Sequence, residues 1–111
     1  MLYFASDHRG FALKEEIKKY LQQKKIPYED LGNDKFEPLD DAIDFVSLVG
    51  QKLQLNPTDM GIVICGSGVA VCVAANKFKN VRCGLGFSPD QVRSAKSHDN
   101  INVHKIWLQN F

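Results

Sequence analysis

A thiol and a glycine-rich turn stand together at Cys65-Gly66-Ser67-Gly68, directly after the β-branched run Ile62-Val63-Ile64 and ahead of the small, apolar stretch from Val69 to Ala75. This order reads as strand, turn and helix. The first amides of a helix have no intrahelical partner and carry partial positive charge, and glycines let a ligand approach the backbone closely. A thiol at such a place ionises more readily than one in a core. An acid beside an imidazole, Asp7-His8, follows a second apolar run, Leu2 to Ser6, and suits a polar ligand at a strand end. His98 lies in a third polar cluster, Ser97-His98-Asp99-Asn100. Blander readings fit the same residues: a tight structural turn at Gly66 to Gly68, a helix cap at Asp7, a solvated His8.

Several catalytic motifs are excluded by what surrounds the turn. A P-loop would end in Gly-Lys-Ser/Thr, and a dinucleotide fingerprint would follow the first strand and carry a third glycine where Val71 stands. A cysteine phosphatase would need an arginine near Val71, and a nucleophile elbow would need glycine in place of Cys65. What remains is a small anion pocket beside a thiol. Arg9 is the other basic residue that the spacing brings beside Asp7; a guanidinium forking two oxygens of an anion and a solvated side chain both fit it.

The elements that position these groups alternate along the chain. Leu2 to Ser6 reads as a strand, and Leu13, Ile17, Tyr20 and Leu21 recur at helical spacing, leaving Lys14, Lys18 and Lys19 on a solvated face. Ile26 to Gly32 reads as an edge strand, because Pro27 cannot donate to a ladder. Asp40 or Asp41 caps a helix whose apolar face is Ile43, Val46, Leu48, Val49 and Leu53. Strand three and its helix carry the thiol, Val81 to Leu85 forms strand four, and Ser88-Pro89-Asp90 opens a helix with proline in its first turn. Ser97 to Asn100 breaks it before a fifth strand from Ile101. This alternation predicts an α/β fold: a three-layer α/β/α, Rossmann-like arrangement around a five-stranded parallel sheet, with ligands beyond the strands' carboxyl ends. The clusters at Asp7, Cys65 and His98 are expected to meet there.

The 111 residues fit one domain spanning 1–111, and 44% hydrophobic with 24% charged residues is ordinary globular composition. A net charge of +1 argues against a nucleic-acid partner, and no apolar run approaches the ~20 residues needed to cross a membrane. Asp7 comes too early for a signal peptide, so the cytoplasm is expected. The three cysteines are odd in number and lack paired short spacings, which suits reduced thiols rather than disulfides or a metal cluster. His104 is given no role.

Asp7-His8-Arg9-Gly10-Phe11, Gly61 to Val69, Ala74-Ala75-Asn76-Lys77-Phe78 and His98 to Val103 together resemble, in order, the motifs of the ribose-5-phosphate isomerase B and galactose-6-phosphate isomerase family. The resemblance implies isomerisation of a sugar phosphate, ribose 5-phosphate first among the candidates, through an enediolate and without metal or cofactor. It implies Cys65 as the base that moves a proton between C1 and C2, with Ser67 assisting. The amides of Gly66, Ser67, Gly68, Val69 and Ala70 hold the enediolate oxygen. Asp7 and His98 help to open the ring, and His8 contacts the phosphate. A glutamate base used in one branch of the family corresponds to Val71, which takes no proton. Asp41-Ala42 stands where the family carries Tyr-Pro, and Asp99 stands where an amide contacts sugar hydroxyls. The family's C-terminal helix and its phosphate-binding arginines are missing from the domain as read. A homodimer with sites near the interface is expected, from the resemblance and from the aromatic, apolar tail Ile106-Trp107-Leu108-Gln109-Asn110-Phe111. A non-catalytic sugar-phosphate-binding homologue is the alternative of another class.

Overall fold

The computed structural model describes residues 1–33, 42–65 and 70–107. Nine elements follow in order: β1 (Leu2–Ser6), α1 (Phe11–Gln23), β2 (Tyr28–Asp30), α2 (Ala42–Leu55), β3 (Met60–Cys65), α3 (Ala70–Ala75), β4 (Cys83–Gly86), α4 (Pro89–Asp99) and β5 (Val103–Trp107). The strands form one sheet in the order β2-β1-β3-β5-β4, with every pairing parallel. This is the expected α/β architecture. It also supplies the order of the last two strands, which no local pattern contains: β5 inserts between β3 and β4.

Alternation along the strands divides the core. Tyr3, Ala5, Val63, Cys65, Cys83 and Val103 face α2 and α3, where they bury against Val46, Val49, Leu53, Val71, Cys72 and Ala75. Phe4, Ser6 and Ile64, equally buried, belong to the opposite face. Right-handed crossovers account for the assignment of helices: connections running toward β4 place α2 and α3 on one face, and those running back place α1 and α4 on the other.

Local chemistry sets the ends of the elements. Ser88 caps α4 by accepting a hydrogen bond from the Gln91 amide, with proline in the first turn as the sequence predicts. The helix runs further than expected, through His98 and Asp99, and stops at Asn100, which adopts the left-handed conformation at φ 52° and donates its amide to Ala95 and Lys96 carbonyls. Strand β2 is shorter than predicted and excludes Pro27, and β4 begins at Cys83 rather than Val81 because the Val81 amide turns back to Phe78.

The lysine face of α1 requires a correction. Lys18 and Lys19 keep some exposure, but Lys14 is fully buried. Its Nζ donates to Asp30 Oδ1 at 2.8 Å and to the Asn33 carbonyl, and it lies 5.5 Å from the centre of the Phe11 ring. The buried stripe of α1 therefore runs through Lys14 and Leu21, seven residues apart, and Tyr20 is exposed. The reason is electrostatic. Asp30 ends β2 beside α1, and a carboxylate taken from water needs a partner of opposite charge. Burial works against the charged Asp30, but hydrogen bonds from Lys14, Lys18 and the Gly32 amide outweigh it and hold its carboxyl below the usual range.

Lys14→Ala is expected to cost about 3 kcal/mol, the low end for breaking a buried pair, since Lys18 still neutralises Asp30. Because the Asp30 carboxyl is depressed in the folded state, its contribution is complete above the ordinary carboxylate value of about 4 and disappears as pH falls through the lower folded value. Urea denaturation between pH 2 and 7 should show that acid component in the native protein and a weaker one in Asp30→Asn.

Candidate active site

The pairing of β1 with β3 sets the site. Ser6 lies opposite Ile64, so the next residues, Asp7 and Cys65, leave adjacent strands side by side at the carboxyl edge. From β1 the chain turns outward to β2 and then crosses over to β3, which makes this pair the point where strand order reverses. The Asp7 amide donates to the Ile64 carbonyl at 3.4 Å. Gly10 lies against the same residue: a Cβ there would sit 2.5 Å from the Ile64 oxygen and 2.6 Å from its Cγ2. Only glycine lets the start of α1 come this close to β3.

Asp7 is buried, and its Oδ1 accepts hydrogen bonds from the Arg9 and Gly10 amides at 3.0 and 3.1 Å. The carboxylate thus orders the loop ahead of α1, whose cap position is Gly10. His8 is half-buried and Arg9 exposed on that loop. On the other side, the Gly32 carbonyl accepts from the Ser6 amide at 2.8 Å, and the Asn33 amide donates to the Ser6 carbonyl at 3.2 Å. Lys14, holding Asp30 and Asn33, fastens this second wall.

Cys65 is buried at 2% exposure, the last residue of β3. Ala70 opens α3 and is exposed. Gly66, Ser67, Gly68 and Val69, and likewise Asp40 and Asp41, lie outside the described residues. Cys72 and Cys83 belong to the core: the Cys72 thiol donates to the Cys83 carbonyl at 3.2 Å, and Asn76 brackets both backbones. Burial, together with the Cys72 thiol, pushes Cys83 well above the usual thiol range.

His98 and Asp99 do not join this group within one chain. They are exposed in the last turn of α4. The expectation that they meet Asp7 and Cys65 fails on direction: a helix between parallel strands runs against them, so its end delivers the chain to the amino edge of β5. His104 is buried, and burial and then Lys96 lower its tendency to protonate. A hollow of about 570 Å³ also opens at the amino edge, lined by Leu2, Ile26, Pro27, Met60 and Ile62 among others. Its walls are largely apolar side chains, unlike the convergent polar groups at the carboxyl edge.

A second lysine is buried against expectation. Lys105 is fully buried in β5, in register with Val63. Alternation with Val103 was its only signal, and that signal conflicts with the usual exposure of lysine.

The chain matches the ribose/galactose isomerase family model over residues 2–106. A probable ribose-5-phosphate isomerase B of Mycoplasma pneumoniae is 44% identical over 102 residues, covering 92% of this chain and 67% of the relative. The ribose-5-phosphate isomerase B of Escherichia coli is 34% identical over 100 residues, covering 90% and 66%. The chain therefore spans about two thirds of the length of these relatives. The crystal structure of the Mycoplasma genitalium ribose-5-phosphate isomerase B with bound ribulose-5-phosphate superposes with a TM-score of 0.91 at 42% identity, covering 97% of this chain and 72% of that one. The Thermotoga maritima enzyme gives 0.87 at 39% identity, covering 95% and 72%.

Gly10→Ala should force Ile64 and the β3 end away from α1 and cost about 1 to 3 kcal/mol, as overpacking does. Arg9→Ala, one residue earlier and exposed, should stay within about 0.5 kcal/mol of the native protein. Chemical denaturation of the two variants checks the contrast.

Proposed function

The chain belongs to the ribose/galactose isomerase family, and from that premise we propose that it interconverts an aldose phosphate and a ketose phosphate, ribose 5-phosphate and ribulose 5-phosphate. The observation that carries this reading is the emergence of Asp7 and Cys65 side by side at the carboxyl edge, where strand order reverses.

With the sugar in its open form, the Cys65 thiolate takes the proton from C2 and returns it to C1, while the hydroxyl proton passes from O2 to O1. Charge on the enediolate oxygen falls to the amides of Gly66 to Ala70, with Ser67 orienting the substrate. Such donors act most strongly on charge that appears only in the transition state. Asp7, held by two amides, works with His98 in opening the ring. His8 and Arg9 take the phosphate, and Asp99 accepts from sugar hydroxyls.

His98 and Asp99 end α4 at the far edge of their own sheet, so in this reading they serve the site of a second copy, and the working unit is a homodimer. The three buried thiols suit the reducing cytoplasm, which we take as its compartment. Among the described residues no helix is long and apolar enough to cross a membrane.

Cys65→Ser should lower kcat by about 10² to 10⁴-fold, the usual contribution of a positioned base, with the unfolding midpoint little changed. Turnover near the native value would remove Cys65 from the mechanism. Mixing inactive Cys65→Ser with inactive His98→Ala should restore roughly a quarter of native activity, since half the dimers are mixed and each mixed dimer holds one intact site. No recovery on mixing would place His98 outside the neighbouring site.

A further inference from the structure

Strand β5 alternates so that Val103 and Lys105 face α2 and α3, the face that Val63 and Cys65 also occupy. Lys105 pairs with Val63, and Cys65 stands two residues further along β3. With strands about 4.8 Å apart and a rise of about 3.3 Å per residue, the Lys105 and Cys65 Cα atoms are about 8 Å apart, within reach of a four-carbon stem. Both side chains are buried, Lys105 at 0% exposure.

We propose that Lys105 is a positioning residue for the isomerase chemistry: its buried ammonium, on the same sheet face as Cys65, favours the thiolate that serves as the base. The use of that thiolate as a base rests on the function proposed above; the electrostatic effect does not. A cation acts far more strongly in a site closed to water than at a surface.

Several described groups share this face with the pair. From β4 the Cys83 thiol faces it, and from α3 the Cys72 thiol. From β1 come Tyr3, whose hydroxyl donates to Asp59, and at the edge Asp7, held by loop amides. Helix α2 contributes apolar Val46, Val49 and Leu53; its Asp44 is exposed, and its Lys52 lies 3.9 Å from Glu29. Burial and Cys72 raise the Cys83 thiol, Lys105 lowers it and Cys65 raises it, so the ammonium and the Cys65 thiol are each within electrostatic reach of Cys83. Burial holds Cys83 protonated in the core, whereas Cys65 ends its strand at the carboxyl edge of the sheet.

The test reads Cys65 directly, without substrate. Thiolate absorbance at 240 nm is followed against pH as the difference between the native protein and Cys65→Ser, so that the tyrosines and the other two thiols cancel. The native Cys65 should be half-ionised below the ordinary thiol value of about 8.5. In Lys105→Met, taken against the matching double variant, the midpoint should move to higher pH, to a proton concentration at least about tenfold lower. Replacing a buried charge by an apolar side chain of similar shape is often neutral for folding, and Lys105→Gln is the second variant should Met fail to fold. A native midpoint at or above 8.5 would overturn the proposal, as would coincident midpoints with and without Lys105. If the midpoint shifts but no variant, nor the native protein, isomerises the sugar, the function falls and the electrostatic pairing stands. If the enzyme is active and the midpoint does not move, the reverse holds.

Discussion

The parallel pairing of β1 with β3 is the constraint on which the site depends. Matching Ser6 to Ile64 brings two chain segments that are far apart in sequence to the same height of the sheet. The next residue on each strand, Asp7 and Cys65, then stands beside the other. The Asp7 amide on the Ile64 carbonyl and the bare Cα of Gly10 against the same residue keep the two strand ends together. A slip of one residue would turn Cys65 to the other face and separate it from α3.

Two buried lysines divide the support of this edge between the faces of the sheet. Lys14, on the α1 side, gathers Asp30 and Asn33 and so fixes the connection that follows β2. Lys105, on the side of α2 and α3, lies in the layer that also holds the three cysteines. Lys14 is compensated by a carboxylate and a carbonyl, an arrangement that serves structure.

Much of this was legible in the sequence because the signals are local. The β-branched run before Cys65, the Ser88-Pro89 helix start and the strand-helix alternation each depend on neighbours along the chain, and the fold class follows from their order. The family motifs could also be read, since each is a short run of consecutive residues. Strand order beyond β3 was not legible, because insertion of β5 between β3 and β4 is a choice among non-local pairings. Lys14 was misread because Leu13 and Ile17 advertise a stripe one residue away from the one actually buried, and the partner that draws Lys14 inward, Asp30, lies sixteen residues on. His98 was misplaced for a geometric reason: a polar cluster before a strand belongs to the amino edge, whatever its composition suggests.

The central claim is that the edge built from Asp7 and Cys65 moves a carbon-bound proton of a sugar phosphate. Incubating the protein with ribose 5-phosphate in deuterium oxide and following the sugar by proton NMR tests it most directly. The account predicts formation of ribulose 5-phosphate with deuterium incorporated at the carbons between which the proton moves, and loss of both in Cys65→Ser. Binding of the sugar phosphate with no ketose and no exchange at C2 would contradict it, and would make the chain a binding protein built on an isomerase fold.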